Sequence, residues 1–278
     1  MPQQFEVKSM TPTIGGEVVG LDLSKPMSDE TFEQLHAAFL DRKALFFRNQ
    51  DITLDQHKDF GRRFGELHVH PASNPYKADG VAHPEILFLH ADENTTRTAG
   101  DTWHSDVSCD PEPPMASILR LVKIPPSGGD TLFACMCAAY DALSEPMKRY
   151  LGELTATHDG TWNYSDRAKR KDAVIKNRVY PCNTHPIVRT HPETGEKALF
   201  VNTAFTSHIN DVSRQESDAV LSFLYQHVSS AAFQCRFKWT ENAIAMWDNR
   251  NTLHHAMWDY YPNVRSGFRV TVQGDKPF

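Results

Sequence analysis

Apolar positions along this chain come in short runs separated by Gly, Pro and polar turns, not in long stripes at helical spacing. That pattern predicts a mainly β chain with a few flanking helices. Short strands are expected at Phe5–Val7, Glu17–Val19, Ala44–Phe47, Ile86–Leu89, Ser117–Val122, Thr131–Cys135, Ile187–Arg189, Leu199–Val201, Phe233–Lys238, Ala243–Trp247 and Phe268–Val272. Three helices have start signals. One runs from Ser28 to about Arg42, with Asp29 and Glu30 in its first turn, where carboxylates favour the helix dipole. Thr53-Leu-Asp-Gln56 and Ser213-Arg-Gln-Glu216 have capping-box spacing and open helices toward Phe64 and His227. Many short strands with few helices suggest a sandwich or jelly roll. The stretch Thr161–Pro181 is the most polar, with Arg167, Lys169, Arg170 and Lys171 close together. It reads as a solvated segment or as a lid over a site.

Composition narrows the class. The chain has 278 residues, 40% hydrophobic, enough for a substantial core. The expected organisation is a single domain over residues 1–278, with 160–181 as a candidate lid insertion. A formal charge of −6 argues against nucleic acid or an anionic membrane as the partner. The cysteines stand at 109, 135, 137, 182 and 235, with no Cys-x-x-Cys pair for a zinc knuckle. Scattered cysteines, no apolar leader and no long apolar run predict a cytoplasmic protein.

The candidate chemistry centres on His104-Ser-Asp106 and the distant His254. Two imidazoles and one carboxylate can hold one face of an Fe(II) ion and leave the other face open. On a strand, His104 and Asp106 would face the same way. His90-Ala-Asp92 has the same spacing, and the residues alone do not exclude it. The C-terminal segment carries Trp247-Asp-Asn-Arg250, His254-His255, Arg265 and Arg269. Arg265 and Arg269 are four apart on an expected strand and would share a face. A buried guanidinium needs a partner, and a dicarboxylate ligand would supply one; the alternative is a pair of surface salt bridges. Thr131, after Ser127-Gly-Gly-Asp130, could add a hydroxyl.

Taken together, these segments resemble the taurine / 2,4-dichlorophenoxyacetate dioxygenase family of Fe(II)- and 2-oxoglutarate-dependent oxygenases. The resemblance covers nearly the whole chain. Its segments are Phe64-Gly-Glu-Leu-His-Val-His70, Trp103-His104-Ser-Asp106, Gly128-Gly-Asp-Thr131, Thr190-His-Pro192, Leu199-Phe-Val-Asn202, Trp247-Asp-Asn-Arg250 with His254, Arg265 through Arg269, and Gly274–Phe278. It implies a double-stranded β-helix, a distorted jelly roll. It implies iron at His104, Asp106 and His254, leaving His90, Asp92 and His255 without that role. It implies 2-oxoglutarate on Arg265 and Thr131, with O2 as the other co-substrate. It implies the acid group of a small-molecule substrate on His70 and Arg269, and an apolar pocket that includes Tyr164 and Phe205. The family commonly forms dimers or tetramers, so a homodimer or homotetramer is expected.

Departures from the family bear on the substrate. Ser73 and Gly100 stand where the taurine enzyme holds the substrate amine with a tyrosine and an asparagine. Tyr164 replaces a phenylalanine, and Cys109 replaces another. The acid-binding half of the pocket is kept and the amine-binding half is not. The expected substrate is an organic acid other than taurine: a sulfonate, a sulfate ester or an aryloxyalkanoate. Two alternatives stand beside it. One is the same chemistry on a larger, neutral natural product. The other is a metal-binding jelly roll without oxygenase activity, or a zinc hydrolase.

Overall fold

In the computed structural model, the described residues are 3–70, 75–78, 80–96, 98, 100–161, 163–164 and 179–278. The elements in chain order are β1 (Glu6–Ser9), β2 (Gly16–Val19), α1 (Asp29–Arg42), β3 (Ala44–Phe47), α2 (Leu54–Arg62), β4 (Tyr76–Ala78), β5 (Val81–His83), β6 (Leu87–Ala91), β7 (Ala116–Lys123) and β8 (Thr131–Cys135). They continue as α3 (Met136–Asp141), α4 (Glu145–Gly152), β9 (Thr155–Asp159), β10 (Cys182–Pro186), β11 (Val188–Thr190), β12 (Lys197–Leu199), β13 (Thr206–Ile209), α5 (Arg214–Val228), β14 (Gln234–Phe237), β15 (Ile244–Asp248), β16 (Thr252–Ala256) and β17 (Arg265–Val272).

Two sheets make the body. The larger has the order β1-β2-β3-β15-β7-β17-β6 and the smaller the order β14-β8-β16. Strand periodicity explains how they pack. Along β3, Phe46 belongs to the core between the sheets, while Leu45 and Phe47 belong to the core on the far side. Leu119 and Ile118 divide the same way on β7, and Trp247 and Met246 on β15. The inner layer joins the sheets through aromatic contacts: Phe46 with Phe237 at 4.2 Å, Phe46 with Phe133 at 5.3 Å, and Phe133 with Trp247 at 5.5 Å. The outer layer is covered by α1 and α2, through Leu35, Phe39 and Phe60. Each such side chain contributes about 1.5–3 kcal/mol by leaving water. Because both faces are covered, Ala44–Phe47 is buried throughout and shows no alternation.

The helix signals are realised. Ser28 caps α1 by accepting from Thr31 N, and a left-handed Lys43 ends it. Both capping boxes form, at Thr53 with Gln56 and at Ser213 with Glu216. Most expected strands appear within a few residues of their expected bounds. Several strands have no counterpart in the sequence reading: β4, β5, β9, β10, β13 and β16. The last carries His254. Its inward positions hold Thr252 and His254, so the apolar alternation that marks a strand is missing. Among the described residues, no helix is long and apolar enough to cross a membrane. Of the candidate lid at 160–181, residues 162 and 165–178 lie outside the described residues.

Candidate metal centre and active site

His104 sits in the connection between β6 and β7, and His254 on β16 of the smaller sheet. Their backbones exchange two hydrogen bonds, His104 N to His254 O at 3.0 Å and His254 N to His104 O at 2.8 Å. This isolated bridge, not a shared strand, brings the first histidine to the second. The expectation that His104 and Asp106 lie on one strand is therefore corrected. After the bridge the chain turns, and Asp106 points back because residues 106–109 form a turn with Val107 at φ 49°. A β-branched residue in the left-handed region is strained. Val107 is held there by burial among Cys109, Tyr164, Ala204 and Phe205.

The three side chains converge. The Nε2 of His104 lies 3.8 Å from Asp106 Oδ1, and that of His254 lies 3.8 Å from Asp106 Oδ2. One ligand atom from each residue falls within 4.8 Å of the others, and all three residues are buried. Their protonation suits a cation. His104 Nδ1 donates to Thr102 O at 2.8 Å, which leaves Nε2 as the lone-pair nitrogen of the neutral ring. Burial, with His104 beside it, holds His254 well below the usual imidazole range. Burial alone would raise the Asp106 carboxyl, but the charge of Arg269, with the two histidines and Ser117, keeps it far below the carboxylate range. Two imidazoles able to present Nε2 and one ionised carboxylate fit a divalent metal of the Fe(II) type.

His90 and Asp92 are not part of this cluster. His90 Nδ1 meets Ser266 Oγ at 2.7 Å, and its side chain is 43% exposed. His255, one position beyond His254, faces the other way and packs on Trp103 at 5.6 Å.

Both arginines are buried on β17, which excludes the surface salt-bridge alternative. The irregularity in the β7–β17 pairing places its extra residue on β7, so β17 keeps its alternation and the two share a face. Arg269 Nη1 donates to Asp106 Oδ1 at 2.6 Å. Arg265 donates from Nε to Gly129 O at 3.1 Å and from Nη2 to Thr131 Oγ1 at 3.4 Å. Burial lowers its pKa, yet a guanidinium stays protonated. Among the described residues, no carboxylate lies within 4.0 Å of it. Trp239 Nε1 also donates to Thr131 Oγ1, at 3.0 Å. With two donors on its oxygen, Thr131 has its own proton to give to a further acceptor. A buried cation beside a free hydroxyl proton can receive a carboxylate. The turn that supplies Gly129 O needs glycine: Gly128 and Gly129 have φ near +73° and +72°, and a Cβ on Gly128 would meet Asp259 Oδ1 at 2.6 Å.

A cluster of buried apolar side chains lies directly after Asp106. Tyr164 packs edge-on against Phe205 at 5.6 Å and against His70 at 5.6 Å. The segment leading to His70 is anchored beside β17. Leu67 bridges Val272, His68 N donates to Thr271 O at 2.8 Å, and His68 Nε2 meets Asp110 Oδ2 at 2.9 Å. Asn202 positions Phe205: its Oδ1 accepts from the backbone N of Ala204 and Phe205, and its Nδ2 donates to Ser108 Oγ at 2.9 Å. Gly100 lies against the ring of His104. Ser73 falls outside the described residues.

The sequence reading missed Val107, Ala204, Trp239 and Ser117, and gave Asn202 and Asn249 no role. The two asparagines stand inside quoted motifs, Leu199-Phe-Val-Asn202 and Trp247-Asp-Asn-Arg250, which were the available signal.

Known proteins show the same organisation. The family described as "Taurine catabolism dioxygenase TauD, TfdA family" matches residues 6–271. An alpha-ketoglutarate-dependent sulfonate dioxygenase of Saccharomyces cerevisiae is 35% identical over 99% of this chain and 68% of its own length. An alpha-ketoglutarate-dependent sulfate ester dioxygenase of Pseudomonas putida is 35% identical over 99% of this chain and 91% of its own. The crystal structure of AAD-2 in complex with Mn(II) and N-oxalylglycine superimposes with a TM-score of 0.81 at 27% identity, covering 99% of both chains. Such jelly-roll enzymes account for the two sheets seen here, and on this match the chain belongs to the TauD/TfdA family of dioxygenases.

Proposed function

We propose that this chain is an Fe(II)- and 2-oxoglutarate-dependent dioxygenase of the cytoplasm that oxidises a C–H bond of a sulfonate or sulfate ester, releasing succinate and CO2. His104, Asp106 and His254 hold the iron. Arg265 and Thr131 hold the distal carboxylate of 2-oxoglutarate. His70 and Arg269 bind the substrate's acid group, and Tyr164 and Phe205 line the space for its body. When bound, iron and 2-oxoglutarate activate O2; the protein binds, orients and excludes water.

The observation that carries this reading is the pairing of Arg265 with Thr131 on the same strand face as Arg269. The two arginines are separated by about 13 Å of extended chain. One end of that face offers a carboxylate clamp and the other reaches the metal triad, as a dicarboxylate co-substrate requires. A hydrolase needs no such clamp. The substrate class rests on two further points. The relatives named above act on sulfonates and sulfate esters. Gly100 offers no group to receive an ammonium, and burying one unpaired is costly.

The test is succinate release with Fe(II) and 2-oxoglutarate across taurine, amine-free alkyl sulfonates, alkyl sulfates, aryloxyacetates and neutral polycyclic compounds. The expected result is the highest kcat/KM on an amine-free sulfonate or sulfate ester. Preference for taurine would overturn the argument from Gly100. Turnover of neutral compounds alone would overturn the acid-binding role of His70 and Arg269.

A further inference from the structure

The motif Trp247-Asp-Asn-Arg250 is fully buried, yet none of its side chains belongs to the metal triad or to the Arg265 clamp. Asn249 is the member that reaches toward the iron site. Trp247 Nε1 donates to Asn249 Oδ1 at 2.9 Å. Asn249 Nδ2 donates to Ser117 Oγ at 3.0 Å. Ser117 Oγ donates to Asp106 Oδ2 at 2.6 Å.

The direction of this chain is determined. An indole N–H can only donate, so the amide must turn its oxygen toward Trp247. The Asp106 backbone N–H points at the same oxygen, at 3.4 Å. The amide NH2 must then face Ser117, whose oxygen receives it. Ser117 is left with its own proton, and the one acceptor it meets is the ionised Asp106. Four groups in series thus admit one hydrogen-bond arrangement.

We infer that Asn249 and Ser117 form a one-way donor relay that orients the Asp106 carboxylate for the metal. The inference rests on the reading of His104, Asp106 and His254 as the metal ligands. An ionised carboxylate has about four lone-pair positions, two on each oxygen. Ser117 takes one on Oδ2 and Arg269 takes one on Oδ1, which fixes rotation about the Cβ–Cγ bond. The positions left over serve the side where the two histidine Nε2 atoms lie. The two donors differ in kind. Arg269 brings a positive charge that opposes a metal cation. Ser117 is neutral, so it orients the carboxylate without that opposition.

The rest of the motif keeps the relay in place. Asp248 receives Arg250 on both oxygens, at 2.8 and 2.7 Å, and His191 Nε2 at 3.0 Å. Arg250 Nη1 goes on to Glu193 at 2.6 Å. This clamps the turn between β15 and β16, where Asn249 also donates its N to Met115 O at 2.8 Å and accepts Ser105 Oγ on its O at 2.8 Å. Ser105 directly precedes Asp106 and Met115 stands two residues before Ser117, so one residue ties the segments of both relay partners together.

The test uses Ser117→Ala, Asn249→Asp and the double variant, titrated with Co(II) and followed by d–d absorption. Asn249→Asp keeps the acceptor for Trp247 and removes the donor to Ser117. Partners that orient a ligand typically contribute about 10–100-fold in metal affinity. Each single variant is expected to weaken Co(II) binding by about tenfold or more. The double variant should lose no more than the weaker single, because groups in series fail together. At saturating Co(II), both singles should show the same altered d–d envelope, which a general loss of stability would not produce. Wild-type affinity and envelope in Ser117→Ala would overturn the relay, as would additive losses in the double variant. Ser117→Ala decides alone if Asn249→Asp does not fold. Absence of Co(II) binding in the unaltered protein would instead overturn the metal-centre reading, and the relay with it.

Discussion

Arg269 Nη1 donates to Asp106 Oδ1 at 2.6 Å, so the arginine expected to serve the substrate is also the counter-charge of a proposed metal ligand. Removing one partner of a buried ion pair costs roughly 3–5 kcal/mol, because the other charge is left uncompensated. Arg269→Ala should therefore destabilise the metal-free protein by about that amount. A bound divalent cation replaces the missing charge. The rise in Tm on adding metal should then be larger in Arg269→Ala than in the unaltered protein. Arg265→Ala should leave the metal-induced rise unchanged and raise the 2-oxoglutarate requirement, at a cost on the order of 2–5 kcal/mol. Thermal unfolding with and without Co(II), and 2-oxoglutarate titrations, separate the two arginines. An equal metal-induced rise in Arg269→Ala and the unaltered protein would count against the counter-charge role.

A second prediction concerns Gly100. A Cβ there would lie 2.9 Å from His104 Cε1 and 3.3 Å from His104 Nε2, and φ is +81°. The missing side chain thus leaves His104 room beside its Nε2. Gly100→Ala adds roughly 1–2 kcal/mol of left-handed strain and presses on that ring. Expected are weaker Co(II) binding and at least a tenfold fall in succinate release. Gly100→Asn, which would restore the amine-binding group of the taurine enzyme, should fail for the same reason instead of conferring taurine turnover. Taurine activity in Gly100→Asn would show that the loop relaxes and that the steric argument is wrong.

The proposed metal ligands can be told from their neighbours. His104→Ala, Asp106→Ala and His254→Ala should each abolish turnover and weaken Fe(II) binding, whereas His90→Ala and His255→Ala should keep the metal. The argument is geometric: His255 packs on Trp103, and His90 meets Ser266. Metal titration of the five variants checks it. Retained binding in His254→Ala with loss in His255→Ala would mean that β16 presents its other face to the metal.

What could be read from the sequence follows the range of the interactions. Helix starts at Ser28, Thr53 and Ser213 are local hydrogen bonds within four residues, and the residue types announce them. The strands β3, β7 and β15 are legible as short apolar runs, but both of their faces are buried, so no alternation separates the inner face from the outer. His104, Asp106 and His254, which the structure brings together, are legible as residue types, but a shared strand is not what joins the first two. His104 and Asp106 are joined by a turn through a strained Val107, and nothing in the local residues signals a β-branched residue at positive φ. The strand of His254 was illegible because its inward positions are polar. Trp239 meets Thr131, and Asn249 meets Ser117, across more than 100 residues of sequence, and only the tertiary fold brings them together.

The last prediction is a pH dependence of stability. His158 is fully buried in a polar network, with Nδ1 against Ser108 Oγ at 2.9 Å, and its ring stacks on Phe200. Burial, with His185 beside it, pushes His158 from 6.5 down to about 3. Burial likewise pushes His57 down to about 4. Between those values and 6.5, the unfolded chain binds protons that the folded chain refuses. Stability therefore rises with pH in that window: it is fully present above about 6.5 and falls as the solution is acidified. From pH 6.5 to 5, His158 alone accounts for about 2 kcal/mol, at 1.36 kcal/mol per pH unit. Denaturant unfolding of the metal-free protein at pH 7.5, 6 and 5 should show this loss. His158→Gln, which keeps a hydrogen-bonding group and cannot titrate, should be less stable at pH 7.5 but lose less on acidification. An unchanged slope in His158→Gln would mean that His158 takes up its proton without unfolding, and that other buried histidines set the acid limit of the fold.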